Sequence, residues 1–291
     1  MKLKIKLLLS VLGLLAVVWA MASCKGKEKK QNETGAVAEE AQIDKKEFPW
    51  DFPLNFKLNA AEGQAVIAPG GYTDEVEAGK DLLEETFTYS NYTLESVGET
   101  HSTIDGKQVP NALIVPIPAG QTAAQGDILL LASMGRQFSR GIVIDDSSPE
   151  KPEVSYLDGS EYPADTETFD GRKLFGDDFI KLQDGTWSSG MPIAVYDGEI
   201  WLVGRIINAT SDKVLAFGNS GEILSADIKN CRLLPLKPRL KTGDIVNAMW
   251  VNHFSDGFTV EKFDEALGRV WVKKGDNSMI VSTMQVAGVL K

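Results

Sequence analysis

The sequence predicts a mainly β protein, made of tandem small β-barrels after an N-terminal β-rich region. Two observations predict the β class. From Glu47 onward, short runs rich in Val, Ile, Leu and aromatics recur, at 112–117, 127–132, 200–207, 214–217, 245–251 and 269–272. Between them stand clusters of Asp, Asn, Gly and Ser, which tolerate the positive φ that tight turns need. Turn candidates are Asp105-Gly106, Asp158-Gly159, Asp197-Gly198, Asn219-Ser220-Gly221 and Lys274-Gly275-Asp276-Asn277. A third observation, an internal repeat, divides the chain into barrels.

The amino terminus comes first. Lys2, Lys4 and Lys6 precede an apolar stretch over residues 7–20, broken only by Ser10 and Gly13, and small Ala22 and Ser23 lead to Cys24. Basic, apolar and small residues in that order are the layout of a secretory signal peptide, read here as residues 1–23. The stretch is short for a membrane span, which needs roughly 20 residues. Met21-Ala22-Ser23-Cys24 resembles the lipobox of bacterial lipoproteins, with Met where Leu is commoner. That resemblance implies a diacylglycerol thioether on Cys24, cleavage just before it, and an acylated amino group. Buried acyl methylenes each contribute roughly 0.8 kcal/mol, so several chains hold a protein on a membrane.

Residues 24–46 carry almost no large apolar side chains and read as a flexible lipidated tether. Lys25, not Asp, follows the cysteine, and the run after it is basic. By the same resemblance this implies the outer membrane of a bacterial cell envelope, on its periplasmic face. Removing three leader lysines takes the net charge from −11 to −14. The tether's six lysines against five acids then leave the folded remainder near −15. Such a surface repels phosphate backbones, which argues against nucleic-acid binding. With Cys24 lipidated, Cys231 has no intramolecular partner, and its strand-end neighbours Leu233, Leu234 and Leu236 predict a core cysteine.

Residues 47–119 form the N-terminal β-rich region. The aromatic, proline-interrupted run Phe48-Pro49-Trp50-Asp51-Phe52-Pro53-Leu54-Asn55-Phe56 predicts an extended strap docked on the first barrel, or a proline-rich ligand for another domain. Residues 73–85 predict a short helix with Val76, Leu82 and Leu83 on one side and a weak point at Gly79. The repeat follows. Gly243-Asp244-Ile245-Val246-Asn247-Ala248-Met249-Trp250 matches Gly126-Asp127-Ile128-Leu129-Leu130-Leu131-Ala132, and residues 190–196 match more loosely. Gly141, Gly204 and Gly268 each open a further apolar run, read as the second strand of its unit. A short helical turn and a last strand close the final two units. This divides the chain into barrels at 120–186, 187–238 and 239–291, small enough that neighbours must share burial.

The Gly-Asp start, the Ala-x-aromatic step (Ala248 to Trp250, Ala194 to Tyr196) and the glycine-led second strand resemble the Tudor and agenet family of small barrels. Met134 stands where the first copy would carry the aromatic. In that family, aromatics at one barrel mouth cage methylated Lys or Arg through cation–π attraction. The resemblance puts Trp250, Phe254, Phe258 and Trp271 near such a mouth in the last unit, and Tyr196, Trp201 and Phe217 in the one before. Aromatics in barrels this small mostly fill the core, so core packing is the first expectation. Partner or ligand contact at Tyr196, Trp201, Trp250, Phe254 and Trp271 is the second.

Chemistry-bearing motifs are scarce. His101 and His253 lie far apart, and no zinc-protease, nucleophile-elbow or phosphate-loop pattern is present. His101-Ser102 reads as an exposed loop pair, and His253 as a surface loop residue. Asp158, Glu161, Asp165, Glu167 and Asp170 cluster, but Phe169 and Asp170 occupy the fifth and sixth places where a calcium loop wants Asp and Gly. No catalytic residue, metal or cofactor is nominated, and an enzyme is the less favoured class. The expectation is a non-enzymatic, membrane-tethered binding or scaffolding lipoprotein that contacts another envelope protein. The alternative is a glycan- or peptidoglycan-binding protein or a carboxylate-dependent hydrolase, with a cleft lined by Trp250, Trp271 or Trp201.

Overall fold

Four glycines in the left-handed region open four copies of one five-stranded unit. A computed structural model of the chain describes residues 46–131, 138–159, 173–175 (backbone only) and 178–290. The leader, Cys24, the tether to residue 45, Met134 and the acidic loop beyond Asp158 lie outside the described residues.

The first unit holds β1 (Ala65–Gly70), helix α1 (Tyr72–Glu77), β2 (Thr88–Val97), β3 (His101–Ile104), β4 (Lys107–Pro110) and β5 (Val115–Pro116). The second holds β6 (Ile128–Leu131), β7 (Ser139–Asp145), β8 (Glu153–Tyr156), β9 (Lys173–Phe175) and β10 (Phe179–Lys181). The third holds β11 (Pro192–Tyr196), β12 (Trp201–Ala209), β13 (Lys213–Gly218), β14 (Ile223–Asp227) and β15 (Cys231–Leu233). The fourth holds β16 (Ile245–Trp250), β17 (His253–Asp264), β18 (Arg269–Lys274), β19 (Asn277–Ser282) and β20 (Val286–Ala287). In every unit the strand order is fifth, first, second, third, fourth, all antiparallel. The chain is mainly β, with small barrels in tandem.

The physical device behind the copies is a turn. Ala61 to Gln64, Ala124 to Asp127, Ser188 to Met191 and Lys241 to Asp244 each close an i to i+3 hydrogen bond. At the third position stand Gly63, Gly126, Gly190 and Gly243, with φ of 81°, 83°, 85° and 93°. That is the type II pattern, which asks for glycine there. The residue after the glycine explains the Gly-Asp motif. Asp127 Oδ2 accepts the Ala124 amide at 2.7 Å and Asp244 Oδ2 the Lys241 amide at 2.8 Å, while Gln64 Oε1 does the same for Ala61 at 3.1 Å.

Each turn then exchanges two backbone hydrogen bonds with one buried residue of the second strand, namely Leu94, Val143, Ile206 or Val260. Just past it an extra residue, Glu95, Ile144, Ile207 or Glu261, breaks register against the third strand. Such bulges bend and twist a strand, which lets one strand serve both faces of a small barrel. Turns of 3-10 helix at Asn111–Leu113, Ile228–Asn230 and Thr283–Gln285 precede the last strand of three units.

Several expectations are corrected. Gly268 opens the third strand of the last unit; its second strand is β17, which contains Gly257 at φ 74°. The helix is shorter than residues 73–85, because Gly79 at φ 70° ends it. Residues 112–113 lie in a 3-10 turn rather than a strand. The strap docks on the 187–238 unit and on the 47–119 region, rather than on the 120–186 barrel: Trp50 Nε1 donates to the Ile223 carbonyl at 3.0 Å, the Asp51 amide donates to Ser225 Oγ at 3.2 Å, and the Trp50 ring lies 6.1 Å from Phe87.

Burial is shared between units, as their size requires. One core joins the strap residues Phe48, Trp50 and Phe52 to the first and third units and to Ile128, Leu130, Phe138 and Ile142 of the second. Units three and four form one continuous sheet through Leu202 opposite His253.

A buried ion network ties the units further. Asp158 accepts the Arg140 guanidinium (Nη2 to Oδ1, 2.6 Å) and backbone amide (2.5 Å), with Arg205 Nη1 at 3.4 Å. Arg140 also donates to the Gly190 carbonyl, and Arg205 to the Phe138 carbonyl. Arg269 reaches the Tyr156 carbonyl from the fourth unit.

Candidate functional site

An aromatic surface with access to solvent is built on the β11–β12 hairpin. Asp197 shapes its turn, Oδ1 accepting the amides of Glu199 (2.9 Å) and Ile200 (2.8 Å), and Gly198 takes φ 109°. Those amide bonds hold the Asp197 carboxyl below its ordinary value. The turn places Tyr196 directly across from Trp201, so their rings meet at 5.1 Å and 41°. Tyr196 is 38% exposed, and its hydroxyl donates to the Gly198 carbonyl at 2.8 Å.

Arg232 reaches the same face because β15 pairs with β11, which puts it opposite Ala194. Its guanidinium lies 5.4 Å from the centre of the Trp201 ring. Nη1 donates to the carbonyls of Cys231 (2.9 Å) and Lys229 (3.3 Å), which fixes the plane. Beneath, half-buried Trp201 packs on Ala194, Val203, Leu234, Met249, Phe254 and Ala287, at the seam between units three and four. A Tyr, a Trp and an Arg are thus held together in fixed positions at a surface.

The other candidates fall elsewhere. Phe254 (6% exposed) lies under the seam and Trp271 (2%) inside the fourth unit, so neither offers a surface to a partner. Trp250 is half-buried, with its ring 6.1 Å from Phe258, and packs on the fourth unit's own core. The chain's own cations occupy ring faces that the cage resemblance would leave to a ligand. Lys262 Nζ sits 4.3 Å from the Trp271 centre and Lys274 Nζ 5.7 Å from Phe258. Phe217 is fully buried, with Arg205 5.0 Å from its centre.

The titratable candidates are structural. Ser102 is buried in β3 rather than exposed in a loop, and donates to Asn111 Oδ1 at 2.6 Å; His101 Nδ1 contacts Thr100 Oγ1 at 2.9 Å, so the two form no dyad. His253 stands in β17, not in a loop. Among the described residues, no group of three or more His, Cys, Asp or Glu could hold a metal ion. Cys231 is buried, and burial pushes its thiol up to about 11. Thiol reagents at pH 8 are therefore expected to label Cys231 only after unfolding; rapid labelling of the native chain would show it exposed.

The sequence missed Arg232 because its place over Trp201 depends on a pairing between β11 and β15, about forty residues apart.

No family model matches the chain, and no curated protein does. Among solved structures it is similar to a crystal structure of AGDP1 AGD34 from Arabidopsis thaliana. The identity is 18% and the TM-score 0.23, over 35% of this chain and 82% of that one. An agreement of that size adds nothing to the strand order, which defines the class by itself: a mainly β chain of tandem small barrels with an aromatic surface at a seam between two of them.

Proposed function

We propose that the chain is a cell-envelope lipoprotein whose barrels bind another envelope protein without catalysing a reaction. In this reading the leader is removed, Cys24 carries the lipid, and residues 25–46 tether the barrels to the outer membrane on its periplasmic side. The Tyr196–Trp201–Arg232 surface carries the binding part. Those three residue types dominate the few interface positions that supply most binding energy, and rings already held in place lose little entropy on binding. A glycan-binding cleft finds less support, since Trp271 is buried and Trp250 and Trp201 belong to different cores.

The test is photo-crosslinking of the intact chain in its own membranes. A discrete crosslinked band is expected from wild type. In Tyr196→Ala/Trp201→Ala it is expected to fall about thirtyfold, the effect of removing a hot spot worth roughly 2 kcal/mol. The proposal fails if wild type crosslinks to nothing, or if the double variant crosslinks as well as wild type. Mass spectrometry of the mature amino terminus tests the anchor separately: an unmodified start at Met1 would remove it.

A further inference from the structure

The passage from unit three to unit four carries a charge pattern opposite to the rest of the body. Between Ile228 and Gly243 stand Lys229, Arg232, Lys237, Arg239 and Lys241, with no Asp or Glu, on a chain of net charge −11. All five are exposed. Lys229 pairs with Asp227 at 2.9 Å, whereas Arg232, Lys237, Arg239 and Lys241 make no ion pair among the described residues.

The ribbon is anchored, because the intervening leucines point inward. Leu234 enters the seam core, Leu236 the large shared core, and Leu240 packs on the core of unit four. Backbone bonds pin it as well: the Leu234 amide to the Pro192 carbonyl (2.9 Å), the Leu236 amide to Asp184 Oδ1 (3.1 Å) and the Lys241 amide to Asp244 Oδ2 (2.8 Å). Pro235 and Pro238 restrict the backbone further. A groove of about 320 Å³ runs beside it, lined by Asp184, Gly185, Leu233, Leu234 and Pro235. Arg232 belongs to the ribbon and also lies over the Trp201 ring.

We infer that this ribbon and the Tyr196–Trp201 face form one docking surface for an acidic segment of a partner protein. Carboxylates meet Arg232, Lys237, Arg239 and Lys241, and an apolar or aromatic side chain meets the rings. The inference rests on the binding function proposed above and specifies the partner's chemistry. Charge complementarity argues for it. An acidic partner is repelled by most of this body and attracted to the ribbon, so the field orients the encounter. The free Arg232 edge suits a carboxylate, which guanidinium groups hold in two parallel hydrogen bonds.

The probe is a fluorescent, glutamate-rich peptide containing tryptophan. It is titrated by anisotropy against the full mature chain in nanodiscs of phosphatidylcholine. Wild type is expected to bind it, more weakly as salt rises, and Lys237→Glu/Arg239→Glu/Lys241→Glu to bind at least tenfold more weakly with unchanged thermal unfolding. Equal binding by the variant, or no binding by wild type, overturns the inference. So does protection of Lys237 and Lys241 from amine labelling by phosphatidylglycerol bilayers without peptide binding, which would assign the ribbon to the membrane. In the crosslinking test, a band lost with the aromatic variant but kept with the charge variant removes the ribbon and leaves the binding function standing. No band from wild type removes the binding function itself.

Discussion

Replacing Asp158 with Asn is expected to cost about 3–5 kcal/mol, read as a lower urea midpoint at pH 7, because it leaves two buried guanidinium groups without their anion. Domains are stable by roughly 5–15 kcal/mol, so the loss is a large share of the whole. Asp158, Arg140 and Arg205 are all nearly inaccessible to water. Burial by itself would raise the Asp158 pKa. The charges of Arg140 and Arg205 and the hydrogen bonds from Arg140 outweigh it and hold the carboxyl below its ordinary value. A carboxyl depressed in the folded state stabilises fully above its unfolded pKa, roughly pH 4, and loses that contribution as pH falls through the folded value. The wild-type chain is therefore expected to lose stability below about pH 4, and Asp158→Asn to show a shallower acid dependence there. A midpoint shift worth under about 1 kcal/mol would mean that water reaches these charges and that the network does not lock the units.

The network also shows where sequence reading stops. Asp158-Gly159 is visible as a turn pair, but its burial depends on Arg140 from the same unit and Arg205 from the next, which no local pattern joins. The copies show the same limit. Gly126-Asp127 and Gly243-Asp244 are recognisable because the aspartate caps its own turn. Gly190-Met191 carries no such cap, and Gly63-Gln64 caps with a different side chain. The first unit is further disguised by the insertion of α1 between its first two strands. A glycine before an apolar run marks any strand start, and only the pairing of β18 with β17 and β19 shows that Gly268 opens a third strand rather than a second. Of the surface aromatics, Tyr196 and Trp201 were readable as hairpin neighbours, whereas the burial of Phe254 and Trp271 follows from packing around the seam and inside the last barrel.

The four opening glycines permit a graded test of that reading, and Gly190→Ala is expected to be the most damaging of the series. All four have similar positive φ, so alanine meets the same backbone penalty at each, about 1–2 kcal/mol. Space then separates them. At Gly63 and Gly243 an added Cβ meets nothing within 4 Å, so the backbone term stands alone. At Gly190 it would lie 2.9 Å from Leu182 Cδ2 and 3.0 Å from Leu130 Cβ. The leucine tip can swing away, but the Cβ of Leu130 is fixed to strand β6. Overpacking adds roughly 1–3 kcal/mol, for a total of about 2–5 kcal/mol. The Gly190 carbonyl also accepts from Arg140, so moving this backbone disturbs the Asp158 network. Gly190→Ala and Asp158→Asn share that arginine and are expected to cost less together than the sum of their separate losses. Equal losses at Gly63, Gly190 and Gly243 in urea denaturation would show that the turn alone matters. Strict additivity with Asp158→Asn would show that the opening turn of the third unit and the buried charges of the second are not coupled through Arg140.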